Sequence, residues 1–183
     1  NDIMVKRFER ESIMKKRWLV TLVFACLLFI PSLVFAVDFD ILSYQGDLNI
    51  HADNTAIFKE TITYRFGDDY NGQLVGLGKA GKMPEGFDID PDPTVQVSKN
   101  GQIIQNVSFY TMEEEDGYKV KIYNAGYAGD TVRVTVTWKL TNLLFLYQDI
   151  AELNWQPLTD STGDIKEIEF KVSSDTPAEK LYF

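Results

Sequence analysis

The chain of 183 residues carries 18 Lys and Arg against 27 Asp and Glu, so its formal net charge is −9. This acidic balance argues against a nucleic-acid-binding protein, because phosphate backbones are bound by basic faces. Hydrophobic residues make up 45% of the chain, which is enough to build a packed core.

The N-terminal segment has the three-part pattern of a secretory signal peptide. Residues 14–17 are Met-Lys-Lys-Arg, residues 18–34 carry no charge, and small or tolerated side chains stand three residues and one residue before Val37. We therefore predict upstream residues and a signal-peptide helix in residues 1–36, with cleavage between Ala36 and Val37. An uncleaved anchor is the competing interpretation, since the apolar run is close to the shortest that spans a bilayer.

Residues 37–183 are the exported part in this interpretation, and their length fits one domain. Six of the 18 basic and three of the 27 acidic residues precede residue 37, so the exported part has a net charge of −12. The single cysteine of the chain, Cys26, also precedes it. The exported domain must therefore hold its fold without disulfide bonds.

From residue 38 onward, apolar and polar residues alternate in short runs between turn signals, which predicts strands. The first strand region covers residues 38–52 and the second covers residues 56–66. On the second, every other residue from Phe58 to Phe66 is predicted to face inward. Glu60 belongs to this inward face, so it needs a hydrogen-bonding partner or an edge position.

Residues 67–92 hold six glycines and two prolines and are predicted to form one long irregular loop. Within it, residues 76–83 read Gly-Leu-Gly-Lys-Ala-Gly-Lys-Met, which is close to a phosphate-binding loop. Met83 lacks the hydroxyl group that would hold magnesium, and Pro84 disfavours the helix that should follow, so we expect no nucleotide. The predicted contact residues of this loop are Gly76, Gly78, Gly81 and Lys82.

Three carboxylates, Asp88, Asp90 and Asp92, stand at alternate positions near the end of the same loop. This spacing lets side-chain oxygens converge on one calcium ion. An EF-hand is excluded, because Pro93 and Lys99 stand where that loop requires Gly and Glu. The sequence therefore predicts a looser calcium site, with a merely solvated acidic loop as the alternative.

The rest of the chain is predicted to form further strands joined by turns, with Asn100-Gly101 as a strong hairpin signal. The elements are a turn at 113–117, strands at 118–124 and 131–142, a short helix or bent crossing followed by a strand at 143–155, and a last strand at 164–174. Seven or eight strands at this spacing favour an all-β fold, an antiparallel β-sandwich of immunoglobulin-like or related type.

Four tyrosines, Tyr110, Tyr123, Tyr127 and Tyr147, are predicted to leave aromatic rings exposed, where they can bind sugars or protein. Trp155 is predicted to be a core residue. The exported part has one histidine and no cysteine; a lone histidine cannot form a zinc site by itself, and no thiol is available for activation. We predict no cofactor and no enzyme, and a hydrolase with paired carboxylates is the remaining catalytic alternative.

Two blocks of sequence resemble a bacterial family of predicted membrane proteins with an N-terminal domain of unknown function (DUF2207). Residues 43–72 contain a Ser-Tyr, an alternating strand, a short turn, the run Thr-Ile-Thr-Tyr and an Asn-Gly in that order. Residues 147–156 match an Asp-x-Ala-Glu-Leu-x-Trp block. The resemblance implies an extracytoplasmic β domain at the cell membrane, with transmembrane helices expected beyond residue 183. Residues 73–77 depart from the aromatic and basic segment of the family.

The resemblance implies no catalytic residues. We therefore expect a non-catalytic binding or interaction domain on the extracytoplasmic side of the membrane, with a surface protein or a wall component as its partner. A calcium- or glycan-binding module is the alternative, and a cell-wall hydrolase is the third.

Overall fold

The structure, a computed structural model, describes residues 37–158 and 163–176. The chain divides into two compact units, Asn1–Ala36 and Val37–Phe183. The predicted signal peptide and Ala36 lie outside the described residues, which start at Val37 on the other side of the predicted cleavage point. The described residues form strands and no helix, and none of them builds a helix long and apolar enough to cross a membrane.

The strands confirm the predicted all-β class. They are β1 (Phe39–Ile50), β2 (Thr55–Phe66), β3 (Tyr70–Gly78), β4 (Asp88–Ile89), β5 (Thr94–Lys99), β6 (Gln102–Ile103), β7 (Ser108–Glu114), β8 (Gly117–Gly126), β9 (Thr131–Thr141), β10 (Phe145–Leu146), β11 (Ala151–Glu152) and β12 (Ile168–Ser174). Because their apolar sides face one another, these strands pack in a sandwich-like arrangement around one core.

The larger sheet has seven strands in the order β12-β1-β2-β9-β5-β6, with β4 also paired to β9. The smaller sheet has the order β3-β8-β7, and β10 and β11 form a separate hairpin. The pairs are antiparallel except for β1 and β12, which run parallel over Tyr44–Ile50 and Ile168–Ser174. The prediction of a purely antiparallel sandwich was therefore wrong at this one pair.

The core is built from strands whose side chains alternate between buried and exposed. The buried residues of β9 are Val132, Val134, Val136, Trp138 and Leu140. Those of β2 include Phe58, Glu60, Ile62, Tyr64 and Phe66, which confirms the inward face predicted for this strand. Apolar burial of this kind contributes about 25 cal/mol per Å² to the stability of the fold.

The prediction of one irregular loop over residues 67–92 was wrong. Residues 70–78 form β3, which pairs with β8 after a bulge between Tyr70 and Gly72. The strand was missed because Gly72, Gly76 and Gly78 occupy non-core positions and conceal the alternation. The core side of β3 carries the buried residues Tyr70, Gln73, Val75 and Leu77.

Two other local predictions have mixed outcomes. Asn100 and Gly101 have φ angles of 51° and 81° and connect β5 to β6, which confirms the predicted turn. β6 is only two residues long, however, and the chain then leaves for β7 in the other sheet. Residues 143–155 contain the β10–β11 hairpin instead of a helix, and Trp155 is buried as predicted.

Candidate functional site

Glu60 is a carboxylic acid in the centre of the core, on a strand flanked by two others. The predicted need for a partner is met twice. Nε1 of Trp138 donates a hydrogen bond to Oε1 at 2.8 Å, and the hydroxyl of Tyr44 donates one to Oε2 at 3.3 Å. Burial nevertheless raises the pKa of Glu60 to about 7, against the lowering effect of both hydrogen bonds.

The surroundings of Glu60 make it a structural group. Burial, followed by the charge of Glu60, also raises the pKa of Tyr44 and of Tyr64. Only 2% of Glu60 is exposed. A substrate has no route to this carboxyl group, so its effect is on the stability of the fold.

The outward side of the smaller sheet carries a flat aromatic and cationic surface, which we call the tyrosine face. It is formed by Leu74, Tyr110, Lys119, Lys121 and Tyr123. Strand register brings them together, because Leu74 lies opposite Lys121 on one side, and Tyr110 lies opposite Lys121 on the other. The intervening residues of β8, Val120 and Ile122, are buried on the core side.

The aromatic rings of the tyrosine face are held beside each other and remain open to solvent. The ring centroids of Tyr110 and Tyr123 are 6.0 Å apart, with their planes tilted by 35°. Exposed fractions are 54% for Leu74, 42% for Tyr110 and 49% for Tyr123. The Nζ atom of Lys121 lies 5.5 Å from the centroid of the Tyr123 ring. This cation–π contact orders the ring beside the ammonium group.

Glycine keeps one margin of the tyrosine face flat. Gly76 lies opposite Lys119 in the β3–β8 pair, and a Cβ atom at residue 76 would come within 3.2 Å of Cγ of Lys119. Lys119 also forms an ion pair with Glu114, with Nζ and Oε2 3.5 Å apart. The surface beside Leu74 therefore carries little side-chain bulk at Gly76, whereas the rings of Tyr110 and Tyr123 project from β7 and β8.

The predicted contact residues of the loop do not form one surface. Gly76 and Gly78 are strand residues of β3. Gly81 forms an isolated bridge with Trp155, whose Nε1 donates a hydrogen bond to the carbonyl oxygen of Gly78. Lys82 lies with its Nζ atom 5.7 Å from the centroid of the Phe145 ring. Only Gly76 of the four borders the tyrosine face.

The predicted calcium ligands lie in and after β4. Oδ1 of Asp88 accepts a hydrogen bond from Nζ of Lys79 at 2.9 Å, and this contact lowers the pKa of Asp88. Oδ1 of Asp90 accepts one from the backbone nitrogen of Asp92 at 3.0 Å. Within residues 37–158 and 163–176, no three metal-ligating side chains lie close enough together to hold an ion. Calcium binding stays a prediction from spacing alone.

All four tyrosines predicted to be exposed are exposed, at 42–75%. Register brings Tyr110 and Tyr123 together on the tyrosine face, whereas Tyr147 lies on the β10–β11 hairpin and Tyr127 lies in the turn after β8. Sequence reasoning missed Leu74, Lys119 and Lys121. The alternation of Lys119, Lys121 and Tyr123 with buried residues is the signal that identifies the outward side of β8.

Comparison with known proteins gives one family. The sequence model of the family described as "Predicted membrane protein (DUF2207) N-terminal domain" matches residues 40–181, which is most of the chain. No curated protein matches the chain. The family assignment therefore rests on the match to this N-terminal domain, whose function is unknown.

Three solved structures have a distant likeness to this chain, as their identity, coverage and TM-score show. An M1 zinc metallopeptidase from Deinococcus radiodurans is 18% identical over 56% of this chain and 20% of its own, with a TM-score of 0.33. Yeast LTA4 hydrolase is 13% identical over 57% of this chain and 15% of its own, with a TM-score of 0.38. A non-cellulosomal cohesin from Archaeoglobus fulgidus is 14% identical over 73% of this chain and 91% of its own, with a TM-score of 0.32. This chain spans about a fifth of the metallopeptidase, and similarity at this level carries no conclusion about activity.

Proposed function

This chain belongs to the DUF2207 family of predicted membrane proteins, and we propose on that premise that residues 37–183 form a non-catalytic binding domain on the extracytoplasmic side of the membrane. We propose the tyrosine face as its contact surface and a glycan of the cell envelope, a wall component, as its partner. The observation that carries this proposal is the side-by-side exposure of Tyr110 and Tyr123 next to Lys121.

The dimensions of the tyrosine face favour a short stretch of polymer over a folded protein. Three strands span about 10 Å across, and residues 119–123 span about 14 Å along the strands. A specific protein–protein interface buries about 800 Å² on each partner, which is several times the area available here. A chain of sugar rings, by contrast, needs only a narrow row of contacts.

The chemistry of the face also suits a carbohydrate. A tyrosine ring offers an apolar surface for the C–H groups of a sugar ring, and its hydroxyl group exchanges hydrogen bonds with sugar hydroxyls. Lys121 supplies an ammonium group for a carboxylate or phosphate substituent on the glycan.

A non-catalytic role is supported by the surroundings of the carboxyl groups. The carboxyl group whose pKa is raised, Glu60, lies in the core. Asp53, Asp88 and Asp130 have lowered pKa values because they accept hydrogen bonds. None of these four groups combines exposure with the raised pKa that a general acid needs near neutral pH.

The proposal is tested by co-sedimentation of the full chain with insoluble envelope glycan isolated from the source cells. We expect Tyr110→Ala and Tyr123→Ala each to weaken binding by about tenfold, the usual effect of removing an aromatic residue at the centre of a contact. Lys121→Gln is expected to weaken binding and to reduce its dependence on salt.

The matched control is Tyr147→Ala, because Tyr147 is 55% exposed but lies on the β10–β11 hairpin. It should bind like the unmodified chain. Equal binding by the unmodified chain and a Tyr110→Ala/Tyr123→Ala double variant would refute the tyrosine face as the contact surface. Absence of any glycan binding would refute the proposed partner.

A further inference from the structure

Among the strands of residues 37–158 and 163–176, β12 is the end strand of the larger sheet, and its apolar side is only partly covered. Ile168, Phe170 and Val172 lie opposite residues 44, 46 and 48 of β1, which are buried. They therefore point to the core side of the sheet, yet they are 57%, 42% and 49% exposed. The core side of this end strand therefore carries a row of half-exposed apolar side chains, which is the kind of surface that a further strand could cover.

The backbone of β12 has hydrogen-bonding groups directed away from β1. Its bonds to β1 use alternate residues, as the bonds from Tyr44 nitrogen to Glu167 oxygen and from Asp175 nitrogen to Ile50 oxygen show. In a parallel pair, the alternate residues of β12 that do not bond to β1 direct both their N–H and their C=O groups away from β1. Ile168, Phe170 and Val172 thus offer these groups at the free edge.

This edge is regular, and the charged residues Glu169 and Lys171 lie on its outward side. Residues 168–174 contain no proline and no glycine, and their register with β1 is continuous, without a bulge. Phe170 is fixed in place because it fills the space above Gly46 and packs on Phe58, with ring centroids 5.9 Å apart. The strand is therefore a regular and ordered template for another strand.

The order of side chains on β12 is self-complementary. Residues 168–172 read Ile-Glu-Phe-Lys-Val. If two copies pair antiparallel with Phe170 on the two-fold axis, Glu169 lies opposite Lys171 of the second copy, and Ile168 lies opposite its Val172. Glu169 already accepts a hydrogen bond from Gln45 at 3.2 Å on the outward side. The opposite-charge pair would form twice, once on each side of the axis.

We propose that β12 is a homodimerisation edge, which pairs antiparallel with β12 of a second copy of this chain about Phe170. In this register the free N–H and C=O groups of residues 168, 170 and 172 face those of the second copy, so about six backbone hydrogen bonds form. The two apolar rows become one continuous row across both sheets. The backbone, charge and apolar patterns thus select the same register.

The charge pair provides the first test, measured on the full chain by sedimentation velocity over a range of concentrations. The unmodified chain is expected to dimerise. Glu169→Lys and Lys171→Glu each place like charges opposite one another twice, so each should weaken dimerisation by about tenfold or more. The double variant Glu169→Lys/Lys171→Glu restores opposite charges and should restore the dimer. Lys139→Glu, at an exposed position on β9, is the matched control and should dimerise normally.

A disulfide trap tests the register in a Cys26→Ser background. Residues 169 and 171 of different copies are directly opposite, so Glu169→Cys/Lys171→Cys should form a disulfide-linked dimer under mild oxidation. Glu169→Cys/Ser173→Cys should not, because these positions are then out of register. A monomer at all concentrations, or a dimer that is equally strong in the single and double charge variants, would overturn the proposal.

Discussion

Replacement of Glu60 by glutamine should change how stability depends on pH. The pKa of Glu60 is about 7 in the folded protein, against an ordinary value of 4.5. A raised folded-state pKa contributes stability that is fully present below pH 4.5 and is lost as pH rises through 7. The difference corresponds to about 3 kcal/mol lost between pH 4.5 and pH 8. The glutamine side chain has no charge to bury, and its amide can still accept from Trp138 and donate to Tyr44.

The assay is thermal unfolding of the full chain and of Glu60→Gln at intervals between about pH 4.5 and pH 8, the range that the raised pKa defines. At the acidic end the two should unfold at similar temperatures. At the alkaline end the variant should be more stable by up to about 3 kcal/mol, or about 6–12 °C in Tm. Glu115→Gln, at an exposed position, is the matched control and should follow the unmodified chain. Parallel curves for Glu60→Gln and the unmodified chain would refute the reasoning.

Three further outcomes are expected. Trp138→Phe removes the hydrogen-bond donor to Oε1 of Glu60. Chemical denaturation should show that the free energy of unfolding falls by about 2–4 kcal/mol, and by more near pH 8 than near pH 5. A loss of stability that does not depend on pH would contradict this. Gly101→Ala places a side chain at a φ of 81°, which should lower the free energy of unfolding by about 1 kcal/mol, and an unchanged Tm would contradict the turn geometry. If Asp88, Asp90 and Asp92 bind calcium, millimolar calcium should raise Tm and Asp90→Asn should reduce the rise; an unchanged Tm would contradict the calcium hypothesis.

Much of the fold was predictable from local alternation. β9 repeats Val-x-Val-x-Val-x-Trp-x-Leu, a pattern that allows only one buried side. β2 shows the same period, and even the inward position of Glu60 could be read from it. The alternation fails in β3, because glycines at outward positions carry no side chain to mark them as polar. The parallel pairing of β12 with β1 could not be predicted, since partners more than 120 residues apart leave no local signal.

The candidate site was predictable only in its parts. The exposure of Tyr110 and Tyr123 was predicted from the sequence and is confirmed by the structure. That their rings lie side by side depends on the register of β7 with β8, which the sequence alone does not specify. Leu74 joins them because β3 is a strand. The sequence instead predicted contact residues in a flexible glycine-rich loop. Part of that loop, residues 70–78, is the regular edge strand β3.

The parallel pairing of β1 with β12 also fixes where the chain enters and leaves the domain. Since both strands run the same way and Ser174 lies opposite Ile50, Phe39 and Ser174 are at opposite ends of the sheet, about 36 Å apart. If the domain is extracytoplasmic, as proposed above, a membrane segment that follows residue 174 would attach at the end of the sheet opposite Phe39. The start of β1 would then be the part of this sheet farthest from the attachment point.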